Sequence, residues 1–194
     1  SIDRLRQHGA LAAELNEVFD LLEARGEHLP EPLDHQMAWS QRIPLAVHSR
    51  ASLDEILAAF GRMTFQRRNR LRQGVDFDPS SQSDLFFVTL EKTEGHYSPT
   101  TMYRDYAISR DRVHWESQSV TRADSETGRR YQEHARRGSH VLLFARLNTD
   151  ERAFHFLGPA TYVRHESEQP MAITWRLEWR LPGDLYQAFA AAIA

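Results

Sequence analysis

Met171-Ala-Ile-Thr-Trp-Arg-Leu-Glu-Trp-Arg180 alternates apolar with polar residues along its length. Met171, Ile173, Trp175, Leu177 and Trp179 share one side of a two-residue period, while Thr174, Arg176, Glu178 and Arg180 share the other. Successive side chains on a strand point to opposite faces, so this is a strand with one face in a core. Working outward, residues 141–147 and 85–90 are continuous apolar runs of the buried-strand type. Residues 154–157 and 160–163 read as short strands about Gly158-Pro159. Residues 102–108 and 112–118 flank Ser109-Arg110-Asp111 as a hairpin.

Helical signals surround these strands. Leu11, Leu15, Val18 and Leu22 recur at helical spacing, with Gly26 placed to stop the helix. Residues 27–40 hold Pro30 and Pro32 without a period and read as a connecting loop. Ile43, Leu45 and Val47 alternate with Pro44 among them, which suits a first or edge strand. Ser52 and Glu55 make a capping box before Leu53, Ile56, Leu57 and Phe60, and Gly61 ends that helix. Residues 73–84 read as a loop. Asp124 or Ser125 caps a polar helix through Arg137, with Gly138 beyond its end, and Asp184 caps a closing helix. Strands in succession with short links predict an α+β fold. Its antiparallel or mixed sheet is curled and barrel-like, with flanking helices. Residues 1–40 form a helical lead-in and connecting loop, and 41–194 a single domain.

The chain has 194 residues and a formal net charge of -3. That length suits one domain with a core large enough to fold unaided. Cysteine is absent, which excludes disulfides, thiolate metal sites and cysteine nucleophiles. The ten histidines show no metal-ligand spacing, and His134, His140, His155 and His165 fall on separate elements. No phosphate-binding glycine loop and no Gly-x-Ser-x-Gly elbow are present. Glu91 and Lys92 are adjacent, which puts them on opposite faces of a strand rather than together in a nuclease site. The expectation is a module without catalysis, metal or cofactor. No stretch approaches a membrane span or a signal peptide. Ser1 opens within a helical pattern, so a cytoplasmic module excised from a larger protein is expected.

Charge is unevenly spread. Residues 1–60 hold five Arg against ten acids, while residues 62–72 hold five Arg and no acid; Lys92 is the sole lysine. Guanidinium groups meet phosphates and base edges with a planar fork and stack on aromatic faces. Arg67, Arg68, Arg70, Arg72, Arg129 and Arg130 are therefore candidate phosphate contacts. Tyr103, Arg104, Trp115, Ser117 and Gln118 combine stacking surfaces with amide and hydroxyl groups and are candidate specific contacts. Each has a plainer alternative: Arg clusters often form solvated faces, and Trp115 would equally fill a core.

Several ordered blocks carry a family resemblance. They are Ile43-Pro-Leu-Ala-Val-His48, Asp84-Leu-Phe-Phe-Val-Thr-Leu-Glu-Lys92 and Ser98-Pro-Thr-Thr-Met-Tyr-Arg-Asp-Tyr-Ala-Ile-Ser109. His114-Trp-Glu-Ser-Gln118, Thr127-Gly-Arg-Arg-Tyr131, Phe156-Leu-Gly-Pro159 and Pro170-Met-Ala-Ile-Thr-Trp-Arg-Leu177 continue it. Together they resemble the C-terminal domain of unknown function of bacterial DEAD/DEAH-box helicases, which often also carry a phospholipase-D-type nuclease domain. The resemblance assigns no catalytic residue. It implies a DNA-recognition module, reading targets that are sometimes modified, in restriction or phage-defence enzymes, with double-stranded DNA and the helicase and nuclease domains of the same chain as partners. The competing expectation is a protein-interaction or autoregulatory domain that docks on the helicase core, and a third is a nuclease with an unrecognised site.

Overall fold

The computed structural model describes residues 8–23, 31–32, 45–64, 66, 71, 74–90 and 105–191. The chain divides into two units, Ser1–Pro30 and Glu31–Ala194. In the first, α1 (Gly9–Glu23) forms where the spacing of Leu11, Leu15 and Val18 predicts a helix.

The second unit is α+β. It runs β1 (Glu31–Pro32), β2 (Ala46–Val47), β3 (Arg50–Ser52), α2 (Leu53–Ala59), β4 (Val75–Asp78), β5 (Ser83–Thr89), β6 (Tyr106–Ser109) and β7 (Arg112–Glu116). Then follow α3 (Glu126–Arg137), β8 (His140–Arg146), β9 (Ala153–Glu166), β10 (Ala172–Leu177) and α4 (Gly183–Ala191). β1 and β2 pair by themselves, and the large sheet has the order β4-β5-β8-β9-β10-β7-β6 with β3 beside β9. The pairing of β5 with β8 is parallel, and its neighbours on both sides are antiparallel. β4 and β6 end the sheet without meeting, so the mixed sheet is open and the expected curl does not close.

Burial explains the run-type strands. A parallel pair has both faces covered, so its side chains are apolar on both sides. Leu85, Leu142, Phe144 and Phe156 face one cluster with Val47 and with Ile56 and Phe60 at α2. Phe86, Val88, Val141, Leu143 and Ala145 face the other, with Trp115, Trp175, Tyr131 of α3 and Phe189 of α4.

Local chemistry sets the helix ends. Ser52 accepts from the Glu55 amide while the Glu55 carboxylate accepts from the Ser52 amide, completing the predicted box. Ser125, not Asp124, caps α3, and Gly138 closes it with φ 68, the left-handed conformation that glycine adopts without strain.

Two expectations are corrected. The strands expected about Gly158-Pro159 are one strand, β9, which continues through a bulge. Leu143 opposes Gly158 and Phe144 opposes Phe156, leaving Leu157 as the extra residue. Gly158 sits at φ 90, and a Cβ there would lie 3.3 Å from the side chains of Trp179 and Val47. A second bulge leaves Val163 unpaired between Arg164 opposite Thr174 and Tyr162 opposite Trp175. These bends let one strand pair first with β8 and then with β10.

The second correction concerns the expected loop over 73–84, which contains β4. Val75 to Asp78 pair with Phe86 to Ser83 across a turn. Asp78 Oδ2 closes that turn, accepting from Ser80 Oγ at 2.7 Å, the Ser81 amide at 2.9 Å and Ser81 Oγ at 2.6 Å. Burial pushes the Asp78 carboxyl up, but these donors outweigh it and hold it below the usual range.

Candidate nucleic-acid interface

The hairpin β6–β7 forms where it is expected, and the register defines what it presents. Val113 and Trp115 of β7 point into the core, so Arg112, His114 and Glu116 point the other way. β10 places Arg176 opposite Arg112, Thr174 opposite His114 and Ala172 opposite Glu116. Beyond β10, β9 places Thr161 opposite Arg176, Arg164 opposite Thr174 and Glu166 opposite Ala172. On the other side of β7, Tyr106 is the partner of His114. The result is a grid of cross-strand rows: Arg112–Arg176–Thr161, then Tyr106–His114–Thr174–Arg164, then Glu116–Ala172–Glu166. The grid lies on the sheet face that α2 covers farther along; Thr174 in its middle row is buried, and none of these side chains belongs to either apolar cluster.

Arg112, Arg164 and Arg176 are exposed. Tyr106 and His114 stack with ring centroids 4.7 Å apart and an interplanar angle of 21°. Arg164 reaches Glu166 at 3.3 Å, an exposed pair that contributes little to stability. Arg112 and Arg176 are direct partners on adjacent strands, and neither makes an ion pair or hydrogen bond with the described residues. Like charges directly opposite cost roughly 0.2–1 kcal/mol relative to small apolar residues. Asp111, at the hairpin turn, is occupied by the Ser109 hydroxyl at 2.7 Å. That hydrogen bond, and then the nearby guanidinium of Arg112, holds the Asp111 carboxyl below its ordinary value. The row therefore offers two adjacent cations with donors to spare, suited to an anionic oxygen.

The sequence-derived candidates fall in several places. Arg67, Arg68, Arg70, Arg72, Tyr103 and Arg104 lie outside the described residues. Trp115 is 4% exposed and stacks on Phe86 at 4.1 Å, with Tyr131 edge-on at 5.8 Å, so it packs the core beneath the grid. Ser117 is wholly buried and accepts from the Met171 amide at 2.8 Å, fastening the end of β7 to the start of β10. Gln118 is half-buried, and its carbonyl accepts from the Thr121 amide at 2.8 Å. Neither Trp115 nor Ser117 presents a surface to a ligand in this arrangement.

On α3 the guanidinium groups are mostly engaged. Arg130 grips Asp84 through two bonds of 2.8 Å and lies 4.3 Å over the Phe77 ring. Burial pushes the Asp84 carboxyl up, against the pull of Arg130, while the bond to Asp84 raises Arg130 in turn. Arg137 pairs with Glu126 and Glu133, Arg136 with Glu133, and Arg122 with Asp124. Arg129 is exposed and makes no ion pair among the described residues. A helix face neutralised in this way is a weak phosphate track.

Sequence reasoning passed over Arg112, His114 and Arg164 as site residues. The signal for two of them was present, because Arg112-Val-His-Trp-Glu116 alternates polar with apolar residues around the recognised Trp115. Arg164 was hidden by the Val163 bulge, which shifts the alternation of β9 by one residue. Among the described residues, no group of three His, Cys, Asp or Glu converges to hold a metal ion. No described helix is long and apolar enough to cross a membrane.

Comparison with known proteins gives one result of substance. No curated protein matches the chain. A family model described as a domain of unknown function, DUF3427, matches residues 46–189, which takes in β2 through most of α4 and the whole grid. By that match the chain belongs to the DUF3427 family.

Proposed function

We propose that the Glu31–Ala194 unit is a non-catalytic DNA-binding module that recognises targets for a helicase–nuclease of the restriction or phage-defence type. The observation that supports it best is the cross-strand pair Arg112–Arg176, which makes no ion pair or hydrogen bond with the described residues and is set beside the Tyr106–His114 stack. Phosphates need cations and bases need flat or hydrogen-bonding groups, and the grid supplies both within two adjacent rows. The resemblance to helicase-borne domains supports the helicase–nuclease context.

The test is binding of the purified chain to plain and modified DNAs across a salt series. Arg112→Ala/Arg176→Ala should weaken binding to every sequence about equally and flatten the salt dependence, as expected when phosphate contacts are removed. Affinity insensitive to salt, or a variant that binds like the parent, would remove the reading.

One observation favours a second reading, an interaction or autoregulatory domain docking on the helicase core. On α1, Leu11, Leu15, Val18 and Phe19 are 42%, 36%, 49% and 56% exposed. Apolar residues at this spacing form one helical stripe, the usual anchor of a helix in a groove. Loss of helicase-core binding on Leu15→Lys/Phe19→Lys, with DNA binding intact, would support it.

A further inference from the structure

We propose that the outward grid of β9, β10, β7 and β6 takes a single strand of nucleic acid rather than a duplex, with a phosphate between Arg112 and Arg176 and an unstacked base on the Tyr106–His114 pair. This rests on the nucleic-acid reading above and names the form of the ligand.

Width argues first. Four strands at about 4.8 Å spacing present a platform about 14 Å across before side chains are added. The B-DNA major groove, about 12 Å wide, admits a helix or a two-stranded ribbon. A four-stranded face cannot enter it. The described helices offer no substitute: α3 has most of its cations paired, and α2 is seven residues long with Asp54 and Glu55 in its first turn.

Chemistry argues in the same direction. An aromatic platform contributes only when a base has a free face, and in a duplex those faces are taken by neighbouring bases. Tyr106 and His114 are already nearly parallel at 4.7 Å and 21°, so a base can continue their stack. The Arg112–Arg176 row lies two residues along the strands from the His114 row, or about 6.7 Å. Thr161, partner of Arg176, adds a hydroxyl donor to that row. Glu116 and Glu166 lie on the opposite side of the aromatic row, where they repel phosphate. The backbone is thereby directed over the arginines and the base over the rings.

The test uses the full chain and fluorescently labelled oligothymidylate, alone and annealed to its complement. The single strand is expected to bind at least about ten-fold tighter, in line with stacking available only to unpaired bases. Arg112→Ala/Arg176→Ala should flatten the salt slope on the single strand by about 0.7 units, the value for one phosphate. Tyr106→Ala/His114→Ala should weaken single-strand binding roughly ten-fold and leave the salt slope unchanged. Arg112→Gln/Arg176→Gln serves as the second variant should the alanine pair melt early. Equal or tighter duplex binding with the same arginine dependence overturns the single-strand inference and leaves the nucleic-acid reading standing. Binding of neither form, or binding indifferent to the arginine variants, overturns both.

Discussion

Trp115→Ala separates scaffold from contact at the heart of the hairpin, and its effect can be worked from the packing. The indole is 4% exposed, stacks on Phe86 at 4.1 Å and meets Tyr131 edge-on at 5.8 Å. Both partners are themselves essentially buried, at 0% and 1%, so the cavity left by the indole has no mobile neighbour to fill it. Large aromatic-to-alanine changes in such sites cost about 3–5 kcal/mol. For a domain of this size each kcal/mol lowers the melting temperature by about 2–4 °C, giving a fall of roughly 6–20 °C. Against a typical total stability of about 5–15 kcal/mol, that leaves a marginal protein. Thermal melts followed by circular dichroism measure it. Trp115→Phe, which keeps a ring against Phe86, should lose clearly less. The reasoning is refuted if Trp115→Ala melts within about 2 °C of the parent while DNA affinity falls, because the indole would then be meeting ligand rather than core.

Gly128→Ala should destabilise by about 1–3 kcal/mol despite the better helix propensity of alanine, with urea titration as the readout. A Cβ there would stand 2.1 Å from the Arg122 carbonyl oxygen and 2.9 Å from that of Ala123, both backbone. Arg130→Met should cost about 3–5 kcal/mol, because it leaves the buried Asp84 carboxyl without its partner. Asp84→Asn/Arg130→Met should recover part of the loss in a double-mutant cycle. Stability should also fall as pH drops below about 6.5. Burial holds His134, His140 and His155 below their ordinary value, so the unfolded chain binds these protons first and unfolding is favoured as pH falls from the unfolded value through the folded ones. His134 is neutral with its proton on Nδ1 toward the Ser139 carbonyl, since Nε2 accepts from the Tyr162 amide at 3.1 Å. His134→Gln should flatten the melting-temperature profile between pH 7.5 and 5.5, and an unchanged profile would exclude His134 as a source.

What local chemistry encodes was legible. The alternation of residues 171–177, the apolar runs, the Ser52–Glu55 box and the Gly138 stop each depend on neighbours in the chain, and each appears where it is expected. Trp179, expected on the Trp175 face, instead lies beyond the end of β10 and packs in the other cluster. The α+β class follows from their order. Gly158-Pro159 misled because glycine serves a turn and a bulge equally well, and only the partner strand decides between them. β4 was hidden in a polar stretch because its backbone is held by pairing with β5, a contact its composition does not announce.

The sequence by itself determined most of the elements, though not β4 or the continuity of β9, together with the absence of cysteine chemistry and the surplus of arginine over lysine. Tertiary structure alone decided which arginines are engaged and which are available. Arg130 is bound to Asp84, 46 residues away in the chain, while Arg112 lies beside Arg176, which belongs to a strand beyond α3, β8 and β9. The physical reason is that guanidinium groups are chemically alike along the chain. Their partners are set by strand register and helix packing, which bring together residues with no sequence proximity.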